Sequence, residues 1–165
     1  MKFIYRLFFA ISLGLSTSAH AELSGRIISI ADGDTLTLLD TDRQPHKIRL
    51  LGIDAPEHNQ DFGQKARTNL SAMAFEQTAQ ADCRSHDRER HALCVVRVGG
   101  QDLGLEQIKA GFAWWYREEA KAQSASERAD YAQAEFLAKI HRYGLWNSTN
   151  PTPPWAWRPA GLRER

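Results

Sequence analysis

The chain reads as an α+β protein built mainly on a β barrel: five short strands with three helices. Three observations predict this. Residues 26–53 carry apolar, often β-branched runs cut by turn residues at 31–34 and 40–45, the pattern of a three-stranded antiparallel meander. At Phe62 the apolar spacing changes to the helical period of about 3.6 residues. Two further strand-like runs and two further helical stretches follow, with no internal repeat and no dividing linker. The 165 residues, 42% apolar and 25% charged, suit one globular domain. They exclude a collagen repeat, a long disordered tract and a multi-span membrane protein.

The first 21 residues stand apart. Lys2 and Arg6 precede an apolar run at 7–15, and small residues end in Ala19-His20-Ala21, an A-x-A cleavage pattern. This is the form of a secretory signal, too short for a stable membrane span. It predicts export to a periplasm or the extracellular space, with no membrane association after cleavage. Removal takes away two basic residues and no acidic one, so the formal net charge goes from +1 to −1. Bulk charge then cannot hold nucleic acid; such binding needs a local cluster.

The strand runs fall at 26–30, 35–39, 46–53, 79–83 and 93–98. The third stops at Asp54-Ala55-Pro56-Glu57, and Gly99-Gly100 closes the last. Phe62, Ala66, Leu70 and Met73, continued by Phe75 or Gln77, share one face of a helix of about four turns. A second helix is expected over 103–112, ended by Gly111. A third is expected over 126–143, with Gly144 where a helix C-terminus favours glycine. Together these elements fit a small, partly open barrel of the OB type over residues 22–148. The remainder, 149–165, is a tail rich in Pro and Trp, and its prolines predict that 150–157 is not helical. Cys83 and Cys94 flank a hairpin whose turn lies near Arg88-Glu89. They come out directly opposite, and an oxidising compartment predicts a disulfide between them. No Cys/His spacing suggests zinc.

Two acidic pairs carry the chemistry. Asp32-Gly33-Asp34-Thr35 sits at the first strand turn, and Asp54-Ala55-Pro56-Glu57 at the end of the third strand. In a meander they converge at one end of the sheet. Four carboxylates without sulfur or imidazole partners suit a hard cation, calcium or magnesium. Arg49 lies on the otherwise apolar strand Ile48-Arg49-Leu50-Leu51-Gly52-Ile53. A cation there either joins a structural ion pair or grips a phosphate through its guanidinium fork. Trp114, Trp115 and Tyr116 follow the second helix, and Trp114 and Tyr116 are candidates for stacking on a base.

These stretches resemble the staphylococcal-nuclease-like, or thermonuclease, family. The matching motifs are Ile30-Ala31-Asp32-Gly33-Asp34-Thr35, the run from Ile48 through Asp54 to Glu57, and Phe62-Gly63-Gln64-Lys65-Ala66. Ala110-Gly111-Phe112-Ala113-Trp114 and Gly144-Leu145-Trp146 complete them, in order across residues 25–146. The resemblance implies an OB-fold barrel with three helices and calcium-dependent hydrolysis of DNA and RNA phosphodiesters, leaving 3′-phosphates. It implies calcium held by Asp34, Asp54 and the backbone carbonyl of Ala55, with Asp32 nearby acting through water. Glu57 matches the residue that activates or orients the attacking water, and Arg49 one of two phosphate-clamping arginines. The family usually shows Asp-x-Tyr-Gly-Arg-x-Leu for the second; here the stretch is Asp87-Arg88-Glu89-Arg90-His91-Ala92-Leu93. Aligned without a gap, His91 takes the arginine position; with one residue deleted, Arg90 does. Arg90 is preferred, because a guanidinium stays charged. A monomer is expected. Two other readings stay open: a non-catalytic OB-fold module that binds nucleic acid, and an exported calcium-binding structural domain. The joint presence of Asp34, Arg49, Asp54 and Glu57 favours hydrolysis.

Overall fold

A computed structural model describes residues 21–158. Apart from Ala21, the expected signal segment lies outside the described residues, as do residues 159–165 of the tail. The strands β1 (Ala21–Ile30), β2 (Thr35–Asp40) and β3 (Pro45–Leu50) form the expected antiparallel meander. Next come β4 (Ile53–Asp54), α1 (Gly63–Ala74) and the hairpin of β5 (Thr78–His86) and β6 (Ala92–Val98). The rest of the order is β7 (Gln101–Asp102), α2 (Leu103–Lys109), β8 (Trp114–Trp115), a 3₁₀ turn at Arg117–Ala122, α3 (Ala125–Ile140), a second 3₁₀ turn at Gly144–Asn147 and α4 (Pro154–Trp157).

Five strands close the barrel. Their order is β3-β2-β1-β5-β6, and a parallel pairing of β3 with β6 joins the two ends. This mixed five-stranded barrel is the expected OB type. The interior follows the two-residue period: Leu36 and Leu38, Ile48 and Leu50, Ala79 and Ala81, and Cys94 and Val96 are all buried. Ala66, Leu70 and Ala74 of α1 share the same core with Ile108 of α2 and Tyr131 of α3. Among the described residues no helix is long and apolar enough to cross a membrane.

Several boundaries differ from expectation. The third strand run stops at Leu50, where Leu51-Gly52 turns the chain before β4 pairs with β8. Gly52 has φ +80°, a left-handed value that glycine adopts without a Cβ clash. The tail is not free of helix: Pro154 opens the turn of α4 from its first position. A proline is well placed there, since its missing N–H would have had no partner. In the β5–β6 hairpin a register shift lies between Cys83 and Ser85, and the reversal runs through Asp87–His91 rather than around Arg88-Glu89 alone. Cys83 still faces Cys94, and the two are disulfide-bonded with a Cα–Cα distance of 4.0 Å.

One polar joint fixes α3 to the barrel wall. Ser124 caps α3 in a capping box with Glu127. Glu127 also takes both terminal nitrogens of Arg84 on β5, at 2.7 and 2.8 Å. Arg84 donates further to the Ala122 carbonyl and to Asp82. The Arg84 hydrogen bonds hold the Glu127 carboxyl well below the usual range, at about 2. A carboxyl whose pKa falls on folding stabilises the fold above its unfolded pKa. That stabilisation is lost as pH falls through the folded value. Glu127→Gln should therefore cost about 1–2 kcal/mol at neutral pH, the shift being discounted for solvent screening of a partly open pair. In urea unfolding the gap between variant and parent should close between about pH 5 and pH 2; a gap independent of pH would exclude this role.

Candidate active site

The site forms where the β1–β2 turn, the end of β3, β4 and the β5–β6 hairpin meet at one end of the barrel. At the turn, the Asp34 N–H donates to Asp32 Oδ1 at 3.1 Å, a local bond that Asp-x-Asp turns favour. Asp34 Oδ1 accepts from the Thr35 hydroxyl at 2.9 Å, and its Oδ2 accepts from the Ala55 N–H at 2.8 Å. That last bond ties the turn to the segment after β4. Gln107 of α2, fully buried, locks the turn from below by donating to the carbonyls of Gly33 and Ala66 at 2.6 and 2.9 Å. Glu57 follows Pro56. Its carbonyl lies so close to Gly63 that a Cβ there would sit 1.9 Å from the oxygen, so only glycine lets α1 start this near.

Asp32, Asp34, Arg49, Asp54, Ala55, Glu57 and His91 line one cleft of about 80 Å³, room for an ion and a few waters. Lys47, Asp87, Glu89 and Arg158 complete its charged wall. Asp34 and Asp54 are buried, and the crowding acts on the acids. Burial, then the charge of Asp34, pushes the Asp32 carboxyl up to about 8. The same two effects push Asp54 up to about 7 against the pull of Arg158 and Arg49. Such a cluster is short of positive charge, and its donors are hard oxygens, which fits calcium. Among the described residues no group of three or more His, Cys, Asp or Glu side chains is placed to hold a metal ion by itself. A cation there would complete its shell with backbone oxygen and water, as calcium commonly does.

Strand register brings Arg49 to this cleft. It pairs with Thr35 across β2–β3 and with Leu93 across β3–β6. Its guanidinium is 5% exposed and bonds Glu119 of the first 3₁₀ turn. Glu119 uses its other oxygen to accept the Gly52 N–H at 2.8 Å. Among the described residues Arg49 Nε has no hydrogen-bond partner; it lies 3.8 Å from Asp87 Oδ2.

The hairpin resolves differently from the preferred alignment. Arg90 takes the left-handed turn position, with φ +66° and its N–H on the Asp87 carbonyl, and does not line the cleft. His91 does line it, its Nδ1 2.9 Å from Asp87 Oδ2. The left-handed residue at 90 falls where the gapless alignment puts the motif's glycine. The structure places Trp114 and Tyr116 in the interior. Both are buried, 7% and 6% exposed, and Trp155 covers them with ring centroids 6.2 and 5.7 Å away. Trp146 packs edge-on against Trp114 as well. Neither ring presents an open face for a base.

Sequence reading misses Glu119, the partner of Arg49 from 70 residues away, and the pairing of Asp87 with His91 inside the hairpin motif. It also misses Arg158, whose guanidinium bonds Asp54 and lies 3.2 Å from Glu57 Oε1. The residue lies in the Pro/Trp-rich tail, whose prolines predict no helix. The PWAWR run, with prolines just before one helical turn, was the only clue.

Comparison with known proteins meets this geometry. The sequence model described as staphylococcal nuclease homologue matches residues 47–148. The chain is 36% identical over 160 residues to the micrococcal nuclease of Shigella flexneri, covering 92% of this chain and 89% of that one. It is 36% identical over 144 residues to an uncharacterized endonuclease of Haemophilus influenzae, covering 87% and 78%. To the staphylococcal-like nuclease CAN1 of Arabidopsis thaliana it is 32% identical over 112 residues, covering 68% and 33%.

The Arg49–Glu119 pair gives a stability test. Removing one partner of a buried pair leaves the other charge uncompensated, a loss of about 3–5 kcal/mol. Glu119→Ala should approach that loss in urea unfolding, and Glu119→Gln, which keeps an acceptor for the Gly52 N–H, should cost less. A loss under about 1 kcal/mol would mean that Arg49 does not depend on Glu119.

Proposed function

The chain belongs to the staphylococcal nuclease homologue family and is a phosphodiester-cleaving nuclease, and from that premise we propose that it cuts DNA and RNA by a calcium-dependent attack of water. One observation supports this reading above the others. Arg49 is buried in the wall of the carboxylate cleft, and its Nε has no hydrogen-bond partner among the described residues. A buried guanidinium nitrogen left unsatisfied is costly in a merely structural pair. A phosphate oxygen would satisfy it.

Each residue then has a task. Asp34, Asp54 and the Ala55 carbonyl would hold calcium, with Asp32 acting through water. Bound there, calcium supplies positive charge and Lewis acidity beside the phosphate. Arg49 binds the non-bridging oxygens and gains strength as negative charge builds on them, which is stabilisation of the transition state rather than of the substrate. Glu57 takes the proton of the attacking water. Water's oxygen forms the new bond to phosphorus, and the bond to the leaving sugar oxygen breaks. His91 faces the cleft from the hairpin and contributes positive charge only when protonated. Export to an oxidising compartment is supported by the form of residues 1–21 and by the Cys83–Cys94 bond.

Glu57→Gln should keep the melting temperature and calcium affinity and lower kcat about 10²–10³-fold, in the range of single-group deletions. Plasmid cleavage at the parental rate would remove Glu57 from the mechanism. Asp34→Ala and Asp54→Ala should each weaken calcium binding in isothermal titration and raise the calcium needed for cleavage, since each removes a charged oxygen. Unchanged calcium affinity in both variants would refute the metal assignment.

A further inference from the structure

We propose that Arg158 is the second phosphate-binding cation of this cleft, delivered by the C-terminal segment rather than by the β5–β6 hairpin. The inference rests on the nuclease reading above. The hairpin sends no guanidinium into the cleft: Arg90 stands on the turn, and His91 is engaged by Asp87 through both its N–H and its ring nitrogen. Arg158 is in the cleft wall, 6% exposed. Its guanidinium bonds Asp54 and reaches Glu57 Oε1 at 3.2 Å. It therefore lies beside the group assigned to the attacking water, in the same cleft that Arg49 lines.

The placement is built rather than incidental. Trp155 packs against Trp114 and Tyr116. Gln60 Nε2 donates to the Thr152 carbonyl at 2.5 Å, and Pro154 is buried. The Arg158 N–H closes the turn of α4 on the Pro154 carbonyl at 3.0 Å. A strap anchored by Trp155 and a buried proline positions one cation. Without substrate, that cation balances two carboxylates. When a phosphate enters, the five donors of a guanidinium allow it to turn from carboxylate to phosphate without leaving the cleft. A charge held there adds to that of Arg49 where negative charge develops.

A simple internal counter-ion makes the opposite forecast. If Arg158 only neutralises Asp54 and Glu57, its removal frees both acids and leaves phosphate binding untouched. The test uses the full chain with Arg158→Ala, Arg158→Gln and Arg158→Lys. Affinity for a cleavage-resistant phosphorothioate DNA dodecamer is read by fluorescence anisotropy, with calcium and with chelator, beside kcat on plasmid DNA. Tryptophan emission reports whether Trp155 stays docked, and the glutamine variant serves if alanine fails to fold. We expect dodecamer affinity to fall about tenfold in the alanine and glutamine variants, with partial recovery in the lysine variant. We expect kcat to fall about 10²-fold, by analogy with the loss of one transition-state donor, and calcium affinity to stay equal or tighten. Parental dodecamer affinity with docked tryptophans, or a rise in kcat, overturns the proposal. If the parent protein cuts nothing with calcium, the nuclease reading fails, while the dodecamer affinities still judge Arg158.

Discussion

Acidic side chains crowded at one end of the barrel set the terms for everything around them. Asp32, Asp34, Asp54, Glu57, Asp87 and Glu89 share one small cleft. Burial and mutual repulsion push the Asp32 and Asp54 carboxyls above the usual carboxylate range. Carboxylates gathered this way are stable only with cations or donors at hand. The fold brings such partners from every direction: the Ala55 N–H to Asp34, Arg49 from β3, and Arg158 from the far end of the described chain. Arg49 is itself matched by Glu119, so the charge pattern extends one layer outward into the first 3₁₀ turn.

Closure of the barrel converts this local pattern into a site. The meander alone would place the Asp32–Asp34 turn near Arg49, through the Thr35–Arg49 register. Only the parallel β3–β6 pairing swings the hairpin beside it, with Ile48 opposite Ala92 and Arg49 opposite Leu93. His91 and Asp87 enter the cleft by that pairing. The α2 helix contributes from beneath, because Gln107 donates to the Gly33 carbonyl of the turn and to the Ala66 carbonyl of α1 and so ties the two together.

What the sequence made legible was what is local. Strand alternation at Leu36/Leu38 and Ile48/Leu50, the Asp-Gly-Asp turn and the opposed cysteines all follow from short-range rules, and the barrel retained them. Three things were illegible for physical reasons. The choice between Arg90 and His91 depends on which residue accepts φ +66° at the turn, a backbone property that side-chain preference does not reveal. The aromatic pair Trp114 and Tyr116 looked available for stacking because nothing nearby in sequence covers them; Trp155 does so from about 40 positions away. Proline in the tail was read only as a helix breaker, although Pro154 at the first position of α4 starts a turn as readily as an interior proline ends one.

The pairing of Asp54 with Arg158 spans 104 residues. On a growing chain, every strand of the barrel emerges before the residue that lies across its mouth. The backbone ladder that closes the barrel uses no residue after Val98. The strap closes last, and with one helical turn and a few ring contacts it belongs to the low-stability end of the molecule's local openings. Assembly thus has a built-in order, scaffold first and cleft wall second. A chain cut short near residue 150 would keep its architecture while lacking one wall of the cleft.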